Sequence, residues 1–224
     1  FTDPPYGVDY SGGIQFSNGQ ATSDSRERLT GDLDAGIYRE VVPVICSVLD
    51  GPAYLWFAGT KALQVYGSLD ASKCEIHALI IWVKSGGGYG DLNSNYKQKH
   101  EPCLYWKPPN ATLNFCGPTT ENTVWEMRKD GKNKHHPTQK PVELAERALN
   151  NSSTIGQSVL DLFGGSGSTL IACERLSRVC RMMEIDPRYC DVIVRRWQSF
   201  TGKQAHLEND TEALFDARQE ASQG

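Results

Sequence analysis

The chain lacks several features that would assign it to a simple structural class. None of its apolar runs approaches the ~18 residues of a membrane-spanning helix, and no charged-then-apolar leader precedes its first motif. Its seven cysteines are an odd number and contain no C-x-x-C pair, which disfavours a disulfide framework and a zinc or other metal site. We therefore expect a soluble, cytoplasmic protein with structural thiols and no metal.

The chain also lacks an overall positive charge, because its formal net charge is −4. The segment from Lys84 to Lys140 is different: it has nine Lys or Arg against five Asp or Glu, a local charge of +4, and the rest carries −8. This basic middle could lie along phosphates while the acidic remainder faces solvent. Its candidate DNA-contacting residues are Lys84, Lys97, Lys99, Lys132 and Lys134. Charge alone does not separate this interpretation from an ordinary solvated loop region.

The 224 residues suffice for one domain, predicted over residues 1–208, with residues 209–224 as a flexible tail. Strands are predicted at 53–58, 76–83, 102–106, 158–163 and 179–185, and helices at 31–49, 60–69, 141–150 and 168–176 and from 186 onward. Residues 86–90 are predicted to be a mobile loop and residues 108–127 irregular. This alternation predicts an α/β fold with a Rossmann-like, doubly wound, mostly parallel sheet and an antiparallel edge strand at 102–106.

A glycine turn, Asp161-Leu-Phe-Gly-Gly-Ser-Gly-Ser-Thr169, joins a predicted buried strand to a helix. Glycines in such a turn let the backbone approach a ligand that any Cβ would obstruct, and the helix N-terminus offers backbone donors. Ser168 or Thr169 is expected to cap that helix. The pattern alone does not separate NAD from S-adenosylmethionine. Glu184 ends the next strand, where a carboxylate can meet ribose hydroxyls.

The segment Asp3-Pro4-Pro5-Tyr6 suits a flat, nitrogenous ring, although Asp-Pro-Pro is also a common turn. The exocyclic amine of adenine or cytosine is a poor nucleophile because its lone pair is delocalised into the ring. Accepting its hydrogens at the Asp3 carboxylate and the Pro4 carbonyl would direct the lone pair at a methyl sulfonium. The two prolines stiffen the loop, and Tyr6 offers a face for stacking on a flipped base.

These motifs, in this order, resemble those of the β group of amino-methylating (N6-adenine/N4-cytosine) DNA methyltransferases. Further matching segments are His136-Pro-Thr-Gln-Lys-Pro-Val-Glu143, Ile80-Ile-Trp-Val-Lys84, Lys97-Gln-Lys-His-Glu-Pro102, Thr123-Val-Trp125 and Asp186-Pro-Arg-Tyr-Cys190. The resemblance implies an S-adenosylmethionine-dependent methyltransferase fold and a restriction-modification enzyme, bacterial or phage-encoded, that methylates N6 of a flipped adenine in DNA. It implies that Asp3, Pro4, Pro5 and Tyr6 are catalytic. It also implies that Asp161, Phe163, Gly165 and Gly167 line the cofactor, Glu184 holds its ribose, and Thr138 and Lys140 approach its methionine end.

Two departures from that group shape the remaining expectations. Only Phe1 and Thr2 represent the strand that should precede Asp3, so we expect an upstream segment or another chain to complete the central strand; a homodimer is an open alternative. Residues 84–135 form only a short variable, target-recognition segment. Methylation at N4 of cytosine and a catalytically silent nucleic-acid-binding module remain alternative functions. The motif order argues against an NAD-dependent oxidoreductase.

Overall fold

A computed structural model describes residues 1–6, 15–17, 20–22, 36–85, 95–128, 140–207 and 210–214. The predictions for residues 31–35, the 86–90 loop, Lys132, Lys134 and Thr138 lie outside the described residues. None of the helices in the described part of the chain is long and apolar enough to cross a membrane.

The described residues form ten strands and five α-helices, with one 3₁₀ turn at Gly59–Lys61. The strands are β1 Gln15–Ser17, β2 Gln20–Thr22, β3 Ala53–Trp56, β4 Glu75–Ser85, β5 His100–Lys107, β6 Val124–Arg128, β7 Ser158–Asp161, β8 Val179–Met182, β9 His206–Leu207 and β10 Asp210–Leu214. The helices are α1 Ile37–Val48, α2 Ala62–Ala71, α3 Val142–Ser152, α4 Ser168–Arg175 and α5 Pro187–Thr201.

The sheet is mixed. One part has the order β3-β5-β4-β6 and another pairs β7 with β8 in parallel. Thr2 joins the two parts, since it pairs in parallel with Leu55 of β3 while the Phe1 nitrogen donates to the Leu160 carbonyl of β7 at 3.2 Å. The predicted α/β doubly wound sheet is confirmed. The predicted edge position of the antiparallel strand is wrong, because β5 runs antiparallel between β3 and β4.

Both faces of the central strands are buried, as expected for an α/β sheet covered by helices on both sides. Leu55 of β3 and Leu104 of β5 pack on one face with α1 and α2, through residues such as Val42 and Leu69. Their sequence neighbours turn to the other face, where Trp56 packs with Leu144 and Ala148 of α3. Alternation along each strand therefore separates two apolar cores.

Three segments differ from the sequence-based expectation. Part of the segment 108–127 is the strand β6, which extends the sheet parallel to β4, so two strands of the main sheet lie within the predicted variable segment 84–135. The predicted tail contains β10, which pairs antiparallel with β9 across a two-residue connection, the length typical of a tight hairpin. No side chain caps α4: Gly167 is its N-cap, Ser168 donates instead to the Lys140 carbonyl, and Thr169 donates to Asp161.

Candidate active site

The candidate catalytic residues gather at the carboxyl edge of the parallel strands, where open α/β sheets bind their ligands. Asp3 follows Thr2, the glycine turn follows β7, and Glu184 follows β8. Lys84 lies near the carboxyl end of β4. Glu101 reaches the same edge from the opposite direction, because β5 is antiparallel and begins there.

The Asp3 carboxylate accepts hydrogen bonds from two side chains. Tyr6 Oη donates to Oδ1 at 2.7 Å, and Lys140 Nζ donates to Oδ2 at 2.6 Å. Lys140 also donates to Tyr6 Oη at 2.9 Å, so the three groups form a closed triangle. The Asp3 side chain keeps 25% of its surface exposed, which leaves its carboxylate accessible to an incoming amine.

The Lys140 side chain is only 7% exposed. Its ammonium also pairs with a second acid, Glu101, whose Oε2 lies 3.0 Å from Nζ. Glu101 Oε1 also pairs with Lys84 Nζ at 2.5 Å. Burial alone would raise the pKa of Glu101, but the charges of Lys140 and Lys84 outweigh it and lower that pKa to about 2. Burial also opposes the charge of Lys140, yet Asp3 and Glu101 together raise the pKa of its ammonium. Glu101 and Lys140 are therefore both charged at neutral pH.

Burial also raises the pKa of Tyr6 well above its ordinary value, and the nearby carboxylates of Asp3 and Glu101 raise it further. The phenol therefore stays protonated and donates to Asp3. Its ring lies beside the Lys140 ammonium, which is 5.4 Å from the ring centroid.

The glycine turn is held by hydrogen bonds on several sides. Gly165 and Gly167 adopt left-handed backbone angles, φ +53° and +78°, and the Gly167 N–H donates to the Gly164 carbonyl at 2.8 Å. Arg196 of α5 donates to the Ser166 carbonyl at 2.9 Å. Ser168 Oγ donates to the Lys140 carbonyl at 2.8 Å, which ties the turn to the start of α3.

Asp161 supports this turn from beneath. Its buried carboxylate accepts hydrogen bonds from Thr169 Oγ1 at 2.6 Å, the Phe163 N–H at 3.1 Å and Thr2 Oγ1 at 3.3 Å. Burial raises its pKa to about 6, although the hydrogen bonds from Thr169 and Phe163 act in the opposite direction. Asp161 thus links the glycine turn to the strand position that leads into Asp3.

Glu184 connects the turn to the start of α5. Its Oε2 accepts the Gly165 N–H at 2.7 Å and its Oε1 accepts the Asp186 N–H at 3.0 Å. Its two apolar neighbours are open to solvent, with Met183 62% and Ile185 78% exposed. Glu184 is therefore flanked in sequence by two exposed apolar side chains.

The structure thus brings Asp3, Pro4, Pro5, Tyr6 and Lys140 together in one cluster, and Asp161, Phe163, Gly165, Gly167 and Glu184 in a second one beside it. The ammonium of Lys140 contacts Asp3, Tyr6 and Glu101 within the first cluster. Lys84 is paired with Glu101, whereas Lys97 and Lys99 lie in the exposed segment before β5. Sequence reasoning missed Glu101 and Arg196. The signal for Glu101 was its place at the start of a strand that pairs with the strand of Lys84.

The chain matches the family model described as DNA methylase over residues 1–195. The chain belongs to this family. It is 26% identical to the type II methyltransferase M2.DpnII of Streptococcus pneumoniae, over 94% of this chain and 83% of that protein. The S-adenosylmethionine complex of M1.HpyAVI has a TM-score of 0.64 at 23% identity, over 87% of this chain and 86% of that chain. The cytosine-N4-specific PvuII DNA methyltransferase has a TM-score of 0.66 at 16% identity, over 88% of this chain and 78% of that chain.

These matches confirm the S-adenosylmethionine-dependent methyltransferase fold and the family that the motif order predicted. The protein is a DNA methyltransferase, with DNA as its partner and S-adenosylmethionine as its methyl donor. The likeness to both M1.HpyAVI and the PvuII enzyme shows the fold alone, so the roles of individual residues have to be argued from the geometry of this site.

Proposed function

We propose that this methyltransferase methylates the exocyclic N6 of an adenine flipped out of duplex DNA, and that Asp3, Pro4, Pro5 and Tyr6 act on that amine. The observation that carries the proposal is the Asp3 carboxylate, fixed by Tyr6 and Lys140 at 2.7 and 2.6 Å yet one-quarter exposed. A carboxylate oxygen has two acceptor sites, so each Asp3 oxygen can accept one more hydrogen bond. One amino hydrogen would bind there and the other at the Pro4 carbonyl.

The reaction requires an amine whose lone pair is free to attack. S-adenosylmethionine would supply the electrophilic methyl group. The amine nitrogen would form the N–C bond, the electron pair of the broken C–S bond would leave with the sulfur of S-adenosylhomocysteine, and the methylated amine would lose a proton to solvent. By accepting a hydrogen bond from the amine, Asp3 would favour a pyramidal nitrogen whose lone pair is no longer delocalised into the ring. The rigid Pro4-Pro5 backbone fixes the second acceptor. The Tyr6 ring offers a face for the base, worth roughly 1–3 kcal/mol for each stacked base.

We propose that the cofactor lies on the second cluster. The residues there fit its chemistry, because each Glu184 oxygen has one acceptor site left after binding its backbone N–H, and ribose hydroxyls are donors. The exposed Met183 and Ile185 offer apolar surface to a purine ring. Left-handed Gly165 and Gly167 shape the turn, and Phe163 lies half-buried beside them. Asp161 supports the turn from within, and Thr138, outside the described residues, keeps its predicted role at the methionine end.

Cytosine N4 is the second candidate target, because its amine has the same chemistry and a fold neighbour is named as cytosine-N4-specific. A carboxylate at the first motif position favours adenine. The decisive experiment incubates the protein with S-adenosylmethionine and unmethylated DNA of mixed sequence and identifies the modified nucleosides by mass spectrometry. We expect N6-methyladenine; N4-methylcytosine would overturn the choice of base. Cofactor binding by calorimetry without any product would instead indicate the catalytically silent module.

Completion of the central strand by an upstream segment or another chain stays a prediction. A cavity of about 70 Å³ lies beside Phe1, between β3, β7, α1 and α3.

A homodimer and a cytoplasmic location in a bacterial or phage-infected cell stay predictions. The location is supported by the substrate, DNA, and by the methyl donor, S-adenosylmethionine, because both are found inside cells. Sedimentation velocity on the purified protein, with and without DNA, would test the dimer.

A further inference from the structure

The ammonium of Lys140 uses all three of its N–H donors within the protein. They point at Asp3 Oδ2, Tyr6 Oη and Glu101 Oε2, at 2.6, 2.9 and 3.0 Å. Beneath it lies the Trp56 ring, whose centroid is 5.2 Å from Nζ. An ammonium has three donors and no acceptor, so Lys140 could bind a cofactor carboxylate only by giving up one of these partners. The geometry therefore assigns Lys140 to the catalytic carboxylate.

The second acid, Glu101, completes the arrangement. One ammonium lies between two carboxylates, and Lys84 binds the outer oxygen of Glu101, so the chain Asp3–Lys140–Glu101–Lys84 has no net charge. A buried charge is costly unless it is paired and hydrogen-bonded, and here every member has an opposite charge within 3.0 Å. Removing one member leaves its neighbour uncompensated.

We propose that Lys140 and Glu101 are positioning residues for methyl transfer: Glu101 holds Lys140 so that Lys140 orients the Asp3 carboxylate toward the target amine. The inference rests on the proposed role of Asp3 as the amine's acceptor. Neither Lys140 nor Glu101 needs to touch the base or the cofactor.

Sharing of the ammonium has a chemical consequence for Asp3. An ammonium paired with Asp3 alone would draw charge from its oxygens and weaken them as acceptors for the weakly acidic amine hydrogens. Because Glu101 takes part of that interaction, Asp3 keeps acceptor strength while it stays fixed in place. Without Lys140, no cation would lie between the carboxylates of Asp3 and Glu101. Two neighbouring negative charges favour protonation of one of the two groups.

This argument predicts a pattern that loss of packing would not give. Lys140→Met should lower kcat by about 10- to 100-fold, the cost of one to two hydrogen bonds to a charged group. It should also move the acidic limb of the kcat/KM profile to higher pH, because the Lys140 charge that lowers the pKa of Glu101 is then lost. The double variant Lys140→Met/Glu101→Gln removes the facing negative charge and should be faster than Lys140→Met alone. Glu101→Gln alone should lower kcat by about tenfold and leave cofactor affinity unchanged.

The matched control is an ion pair at the other end of the same two strands. Lys107 Nζ lies 2.6 Å from Glu75 Oε1, and the variants Lys107→Met and Glu75→Gln should leave kcat and its pH profile unchanged. Cofactor affinity measured by calorimetry on every variant checks that the protein is folded. If Lys140→Met does not fold, Glu101→Gln decides the test, because a normal kcat in that variant would overturn the proposal.

The remaining outcomes are equally decisive. A double variant as slow as or slower than Lys140→Met, or an unmoved acidic limb, would show that these residues serve only packing. Failure of the underlying role of Asp3 is recognised separately, since Asp3→Ala would then methylate DNA at a normal rate whatever the other variants do.

Discussion

Lys140 Nζ lies 2.6 Å from Oδ2 of Asp3, although 137 residues separate them along the chain. This contact joins the first motif to the start of α3, and the Ser168 hydrogen bond to the Lys140 carbonyl joins the same residue to the glycine turn. One residue thus connects the carboxylate proposed to meet the amine with the turn proposed to meet the cofactor. The predictions below separate these two functions.

Asp3→Ala should abolish methyl transfer while leaving S-adenosylmethionine affinity nearly unchanged. Asp3 accepts its hydrogen bonds from Tyr6 and Lys140 in the first cluster. Loss of a charge-assisted acceptor should raise the barrier by several kcal/mol, on the order of a thousandfold in rate. Tritium transfer from labelled cofactor to DNA measures the rate and calorimetry the affinity. Asp50→Ala, at an exposed acid after α1, is the control, and near-normal turnover in Asp3→Ala would remove Asp3 from the mechanism.

Glu184→Ala should do the reverse and weaken cofactor binding by roughly 10–100-fold, the equivalent of about 1.5–3 kcal/mol in lost hydrogen bonds. At saturating cofactor, turnover should largely recover. Calorimetry gives the affinity, and a melting curve checks the turn, since Glu184 also accepts the Gly165 and Asp186 N–H groups. Glu143→Ala, at an exposed acid in the first turn of α3, should bind cofactor normally. Equal affinities in the two variants would make Glu184 a purely structural acid.

Local patterns in the sequence predicted the glycine turn and most elements because their signals are short-range. Gly164, Gly165 and Gly167 stand between a run of β-branched and apolar residues and a helix, and that is where the turn forms. The order of the strands is a long-range property, and alternation of strands and helices carries no information about it. The antiparallel β5 was therefore recognised as a strand but assigned to the edge, whereas it lies inside the sheet.

The misses in the candidate site have the same physical origin. Glu101 stands beside His100 in a basic, polar stretch, where an acid is ordinarily solvated, and only pairing of β4 with β5 brings it to Lys84. The contact between Lys140 and Asp3 could not be predicted either, because it joins residues at opposite ends of the chain; the approach of Lys140 to the cofactor stays a prediction. The strand β6 was missed because Glu126 and Arg128 interrupt its apolar residues, as suits a short edge strand.

Gly167→Ala should destabilise the protein, because the left-handed φ of +78° strains any residue with a Cβ and that atom would lie 3.3 Å from the Ile193 side chain. The left-handed conformation alone costs about 1–2 kcal/mol. Urea unfolding provides the measurement. The matched variant is Gly67→Ala in α2, where a Cβ meets nothing within 4 Å, and there alanine should stabilise by up to about 1 kcal/mol. Equal effects of the same sign would contradict the assigned conformation of the turn.

Asp161 should make stability depend on pH in an unusual direction. Its pKa of about 6 in the folded protein exceeds the ordinary 3.8, so the folded protein binds the proton more tightly than the unfolded chain. Its ionisation therefore costs about 3 kcal/mol at neutral pH, and this cost falls away as the pH drops through 6. Unfolding of the protein and of Asp161→Asn should be compared at pH 8, 7, 6 and 5, above the range in which Glu101 titrates. The parent should gain stability relative to the variant from pH 7 to 5; a constant difference would show that Asp161 is not the titrating group.

Neutralising Lys97 and Lys99 together should weaken binding to all DNA sequences alike. Both residues lie in the exposed segment before β5, at the edge of the sheet that holds Asp3. Each phosphate contact releases close to one counterion, so Lys97→Gln/Lys99→Gln should reduce the slope of log affinity against log salt by about two. Base preference should not change, because phosphate contacts position the protein without reading sequence.

Affinity should be measured by fluorescence anisotropy at several salt concentrations on two unrelated duplexes. The equal-charge control is Lys61→Gln/Lys73→Gln, at the two ends of α2. If both double variants changed the slope equally, the effect would come from net charge; if Lys97→Gln/Lys99→Gln altered discrimination between duplexes instead, the segment would read bases and would not follow the DNA backbone.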